Sequence, residues 1–162
     1  MSTRNSKAVD ASRVVMTQLV LPSHTNSLDS VFGGTIMSWI DICAAVAAQR
    51  HCSMDVVTAS IDELSFVAPV YKGWVVNLKA SVNFVSKTSM EIGVRVDAEN
   101  PKTGETFHTA SAYLTFVALG ASGNPTQVPG LLLESEEDKR RFESGKFRRE
   151  ERLRRREHLK QK

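Results

Sequence analysis

An aspartate at position 41 stands in the middle of an apolar run, among Ile36, Met37, Ile40, Ile42, Ala44 and Ala45. Burying a carboxylate costs on the order of several kcal/mol unless it is paired or its site is wet. In a wet cleft such a group can serve as a general base or a nucleophile; alternatively it faces the surface or bonds a neighbouring hydroxyl or backbone group. Phe32-Gly33-Gly34 opens the same run. Two glycines at a helix start let a ligand approach the backbone, and the orphan N–H groups of the first turn carry the positive end of the helix dipole. Such a terminus can hold a carbonyl oxygen as it becomes negative in a tetrahedral intermediate, although a Gly-Gly pair taken alone is more often just a loop. Asn26, in the preceding loop, offers a neutral donor and acceptor, or is simply a turn residue.

These residues need elements to place them. Residues 1–12 are polar and irregular and read as a flexible leader. Arg13 to Leu21 reads as a strand, closed by Pro22 and the turn residues Ser23 to Asn26. Gly33 to Arg50 is apolar on nearly every side, which a helix tolerates only when protein surrounds it. Val56 to Phe66 follows as a strand. From Trp74 to Val85 the pattern becomes period two: Trp74, Val76, Leu78, Ala80, Val82 and Phe84 form one face. Met90 to Val96 and Thr106 to Val117 continue the pattern across short turns, which excludes parallel winding through crossover helices. One helix followed by antiparallel strands predicts an α+β fold with a curved sheet wrapped around a central helix. Residues 121–133 read as a linker, and residues 134–162 as a charged tail. There Ser135 and Asp138 resemble a helix-capping pair, and Phe142, Phe147, Leu153 and Leu159 form no continuous stripe. The tail helix is expected to be solvated, or to dock only through its first turns.

The formal charge is +3, carried by the tail: from Glu134 onward there are twelve Lys/Arg against eight Asp/Glu, leaving nine against ten before it. The folded part is nearly neutral. No nucleic-acid partner is expected, since the tail mixes charges of both signs and interleaves few aromatics. No stretch approaches the roughly 18 to 20 apolar residues of a membrane helix, and the N-terminus lacks a secretory apolar run, so a cytoplasmic protein without a membrane partner is expected. The two cysteines, Cys43 and Cys52, have no companion ligands at metal-binding spacing. Both read as thiols, with Cys43 as core filling, and no metal site is expected.

Thr25-Asn26, then Val31-Phe32-Gly33-Gly34-Thr35-Ile36-Met37 and Trp39-Ile40-Asp41, resemble the helix motif of hotdog-fold acyl-CoA thioesterases, in particular the brain-type acyl-CoA hydrolases and their bacterial relatives. The similarity continues through Arg50-His51-Cys52, Val57 to Asp62, Phe66, Ser86 to Glu91 and Thr109 to Ala112. It covers roughly residues 13–120, the expected catalytic domain, and Glu136 to Lys146 also resembles the tail of that subgroup. The resemblance implies that Asn26 and Asp41 form a catalytic pair contributed by different protomers of a homodimer. It also implies edge-to-edge sheets and stacking into hexamers as trimers of dimers, acyl-CoA as substrate, and no separate cofactor. The Ser27-Leu28-Asp29-Ser30 loop departs from the family by lacking a frequent glycine.

Within that reading Asp41 activates a water or attacks directly, Asn26 orients the reactants, and the Gly34 N–H assists. Thr58 and Ser60 are candidates to line the thioester pocket. Ser86, Lys87, Thr88 and Ser89, at a hairpin tip, are candidates to hold coenzyme A, with Arg95 a further possibility; Val57, Ile61 and Phe66 are assigned to core or acyl-tunnel wall. Two other readings stay open. One is a hotdog dehydratase using His24; the other is a non-catalytic module binding acyl-CoA or nucleic acid. Deletion of residues 134–162 is expected to leave hydrolysis largely intact.

Overall fold

The computed structural model describes residues 5–162. In chain order the elements are β1 (Ser6–Ala8), β2 (Val14–Leu19), α1 (Gly33–Cys52), β3 (Asp55–Phe66), β4 (Val75–Val85), β5 (Ser89–Glu99), β6 (Thr106–Leu119), β7 (Gly130–Leu132) and α2 (Glu136–Lys160). Five strands form an antiparallel sheet in the order β2-β4-β5-β6-β3, so β2 and β3 are its edges. This is the expected α+β architecture, with α1 packed on the sheet's inner face. Among the described residues no helix is long and apolar enough to cross a membrane.

The inner face follows the period-two pattern. Val76, Leu78, Ala80 and Val82 of β4, Ile92, Val94 and Val96 of β5, and Ala112, Leu114 and Phe116 of β6 are all buried against the helix. From α1 they meet Ile40, Cys43, Ala44, Ala47 and Ala48. Three alanines on that stripe bring the helix axis close to the concave sheet. Ser53 ends the helix in the left-handed region (φ 55°), its N–H donating to Gln49 O at 2.7 Å.

Four expectations are corrected. First, residues 6–12 of the expected leader are structured: β1 pairs in parallel with β7, and a 3-10 turn, Val9–Ser12, buries Val9 and Ser12. Residues 1–4 of that leader lie outside the described residues. Second, the expected linker holds β7 and the buried Val128. Third, a bulge at Asn83 shifts register between Val82 and Phe84, so Phe84 stands opposite Glu91 on the outer face and leaves the stripe of Val76 and Leu78. Fourth, α2 docks well beyond its first turns. Ser135 caps it as expected, its Oγ accepting from Asp138 N at 3.0 Å. Phe142 then packs on Phe84 with centroids 4.9 Å apart. At Gly145 a Cβ would fall 2.7 Å from Phe84 Cβ, so only glycine permits that approach. Further along, Arg148 embraces the buried Glu91, its Nη2 donating to Oε1 at 2.7 Å, and lies 3.6 Å over the Tyr113 ring. The docking is carried by guanidinium groups, which an apolar-stripe reading does not register.

Candidate active site

Gly34, Met37, Ser38, Asp41, Ile42 and Ala45 occupy the side of α1 turned away from the sheet's centre, as three- and four-residue spacing requires. Asp41 is half-buried there, and Thr58 Oγ1 of β3 donates to its Oδ1 at 2.7 Å. The carboxylate is thus held by a neighbouring hydroxyl on one oxygen. Asn26 of the same chain is not among its hydrogen-bond partners. Met37 (39% exposed) and Ile42 (53%) flank it, so within one chain the helix is not surrounded by protein.

Asn26 organises the loop that precedes α1. Its Oδ1 accepts from Leu28 N at 2.9 Å and from Ser30 Oγ at 3.2 Å, and its backbone N–H donates to Ser30 O at 2.9 Å. These bonds fix the exposed side chain by its oxygen. Asp29 takes φ 58° to close the turn, in the segment that lacks the family's frequent glycine. His24 is occupied: its Nδ1 accepts from Leu21 N at 3.0 Å, and its ring meets Trp39 edge-on at 5.0 Å. It is a turn residue in this geometry.

At the start of α1, Thr35 and Ile36 both donate to Phe32 O, and Phe32 provides no side-chain cap. The N–H groups of Gly33 and Gly34 precede the first helical bond and point out of the terminus. A Cβ at position 34 would fall 2.6 Å from the ring edge of Phe32, an exposed side chain that can swing aside. A cleft of about 400 Å³ opens beside this terminus, lined by Val31, Gly33, Ile36, Phe66 and Val67.

The remaining candidates separate. Thr58 pairs with Phe116 and faces α1, but a bulge at Ala59 places Ser60 opposite Thr115 on the outer face, where its hydroxyl donates to Asp62 Oδ1 at 3.0 Å. Ser60 therefore does not share Thr58's surroundings; strict alternation would have kept them together. Val57 (46% exposed), Ile61 (38%) and Phe66 (48%) are not core in the single chain. Ser86 to Ser89 do form the β4–β5 tip: Ser86 N donates to Ser89 O at 2.9 Å, and the two hydroxyls lie 2.7 Å apart. The backbone carbonyls of Lys87 and Thr88 accept from Val128 and Ala118, tying the tip to the rest of the fold and leaving the Lys87 side chain exposed. Arg95 is elsewhere, opposite Lys79 and Ser111 in mid-strand, its guanidinium on Asp97 at 3.1 Å. It lines a cleft of about 520 Å³ between the sheet's outer face and α2, together with Arg148 and Tyr113. That cleft is the larger of the two but contains none of Asn26, Gly34 or Asp41. Burial pushes the Cys43 thiol up to about 11, consistent with its packing role.

Thr58 is a pocket candidate from the sequence and a hydroxyl partner is one of the alternatives for Asp41, but the sequence does not join the two; nor does it single out Asp62 and Arg152. Asp62 Oδ2 accepts from Arg152 Nη1 at 2.7 Å and from Thr115 Oγ1 at 3.3 Å. Asp62 and Arg152 are ninety positions apart, and no local spacing reveals such a pair.

The thioesterase superfamily profile matches residues 28–105, a stretch that contains Asp41 and begins two residues after Asn26. The uncharacterized acyl-CoA thioester hydrolase YkhA of Bacillus subtilis (strain 168) is 41% identical over 138 residues, spanning 85% of this chain and 80% of that one. Among solved structures, an apo-hexameric acyl-CoA thioesterase superposes with a TM-score of 0.90 at 41% identity, covering 93% of this chain and 97% of the other. An acyl-CoA hydrolase of Staphylococcus aureus, solved with butyryl coenzyme A and coenzyme A, gives 0.89 at 35% identity, with 96% and 95% covered. By sequence and by fold the chain belongs to the thioesterase superfamily, among its hotdog-fold acyl-CoA hydrolases.

Proposed function

We propose that the protein hydrolyses acyl-CoA thioesters to a free carboxylic acid and coenzyme A, with Asp41 of one protomer working beside Asn26 of its neighbour. The observation that carries this is the Asp41 carboxylate itself: fixed by Thr58 on one oxygen, it lies on the uncovered side of α1, next to an unpaired sheet edge. That edge, β3, is twelve residues long and bares Val57, Ile61 and Phe66, with Val67 just beyond. A long apolar edge is an aggregation liability unless another strand covers it, and a second copy of the chain supplies a self-complementary β3. The same contact covers Met37 and Ile42, and closes the cleft around Asp41. Further stacking of dimers into a hexamer accords with the hexameric relative.

In the cleft, Asp41 takes a proton from water as its oxygen adds to the thioester carbonyl carbon, or attacks that carbon itself to form an anhydride that water opens. The amide of Asn26 orients water or thioester, and the Gly34 N–H stabilises the carbonyl oxygen as it gains charge. On either route the carbon–sulfur bond breaks as the tetrahedral intermediate collapses, to the acid or to the anhydride, and coenzyme A leaves as thiolate and takes up a proton given up by water. Lys87 at the β4–β5 tip supplies positive charge for the nucleotide phosphates, with Ser86, Thr88 and Ser89 as polar neighbours. Thiol release across acyl-CoA lengths tests the reading. Asp41→Asn should lower kcat by about 10²- to 10⁴-fold, and Asn26→Ala by about 10²-fold. Native rates in either variant contradict it. With His24 held in its turn, release of free thiol is expected without dehydration of 3-hydroxyacyl thioesters.

A further inference from the structure

Thr58 reaches Asp41 because β3 is irregular. The strand carries an extra residue at Ala59 and another at Asp62, and between them the chain changes face: Thr58 stands opposite Phe116, Ser60 opposite Thr115. Without the first bulge, alternation would place both hydroxyls on one side. Pairing with β6 alone does not fix where along β3 the extra residue sits, so side chains that bond within the bulged stretch help to hold it in place.

One side chain gathers the irregular segment. Asp62, 16% exposed, accepts Ser60 Oγ at 3.0 Å on one oxygen, and Thr115 Oγ1 at 3.3 Å and Arg152 Nη1 at 2.7 Å on the other. Ser60 lies within the bulged stretch and Thr115 is its partner on β6, so the carboxylate ties both strands at the point where register shifts. Arg152 is 17% exposed and is delivered by the docked helix, held one turn earlier by Arg148 on Glu91. A charge-assisted bond at low exposure is worth more than an exposed ion pair, and it is directional.

We infer that Arg152 is a positioning residue for hydrolysis: through Asp62 it holds the β3 bulges in register and so keeps Thr58 Oγ1 on Asp41. The inference rests on Asp41 being the hydrolytic carboxylate. It reverses the expectation that the tail is dispensable, because removing residues 134–162 removes the cation that anchors the active edge.

The test measures kcat and KM by thiol release on the assembled full-length protein. Arg152→Ala should lower kcat about tenfold or more, as a displaced catalytic group does, while KM changes by less than about threefold. Arg152→Lys should recover most of the loss, since a single nitrogen makes the contact. Asp62→Asn, which keeps the side-chain shape and removes the ion pair, should reproduce the loss if Arg152→Ala folds poorly. Because Arg152 acts through Thr58, Thr58→Val/Arg152→Ala should be slower than Thr58→Val alone by no more than about twofold. Native kcat in Arg152→Ala or Asp62→Asn, or losses that multiply in the double variant, overturns the inference. If Asp41→Asn stays inactive in the same series, the hydrolytic reading survives that result; a native rate in Asp41→Asn removes the reading itself.

Discussion

On its inner face the sheet meets α1 through Ile40, Cys43 and three alanines packed against Leu78, Ile92, Leu114 and Phe116. On its outer face it meets α2 through one aromatic pair, a glycine and three arginines: Arg148 and Arg152 each bond an acid on a strand, and Arg141 donates to Ser81. The inner contact is apolar area, which tolerates small displacements and scales with what is removed from water. The outer contact is a set of directional bonds, and each has a position at which it is made or lost. A thioester pocket gains from both: the first gives α1 a rigid bed, while the second sets the register of the strand that touches Asp41.

This contrast can be broken most forcefully from the inside. Phe116→Ala empties a fully buried position and should cost about 4 kcal/mol of stability, seen as a lower denaturation midpoint without a change in the shape of the transition. From the outside, Arg148→Ala leaves Glu91, 3% exposed, as a buried carboxylate with only a 3.4 Å contact from Asn83. A loss of about 3 kcal/mol is expected. Adding Glu91→Gln should recover part of it, because a neutral amide is cheaper to bury; no recovery would mean that packing on Tyr113 dominates. The smallest effect belongs to the cap, where Ser135→Ala should cost about 1 kcal/mol and loosen α2 from its N-terminus, measurable as faster amide exchange there.

The same contrast decides what was legible in the sequence. The inner face was readable, because buried strands and a buried helix impose periods of two and 3.6 on apolar residues. Asp41 stood out because it interrupts that pattern, and the turn chemistry around Asn26 marked the loop. The outer face left no such trace. The bulges at Ala59, Asp62 and Asn83 carry no glycine or proline, so nothing local warned that Phe84 and Ser60 would change sides. The cations that dock α2 sit in a run of mixed charge, where Arg148 and Arg152 look like their exposed neighbours. Resemblance to a family supplied the pairing of Asn26 with Asp41, but it assigned no role to Arg152.

The central claim is a site composed from two protomers, and subunit mixing tests it most directly. Asp41→Asn and Asn26→Ala chains, each inactive alone, are unfolded together, refolded and assayed for thiol release. In a twofold dimer each mixed pair rebuilds one intact site out of two. Random mixing should therefore restore on the order of a quarter of native activity. Mixed assemblies that form but remain inactive would contradict the composite site.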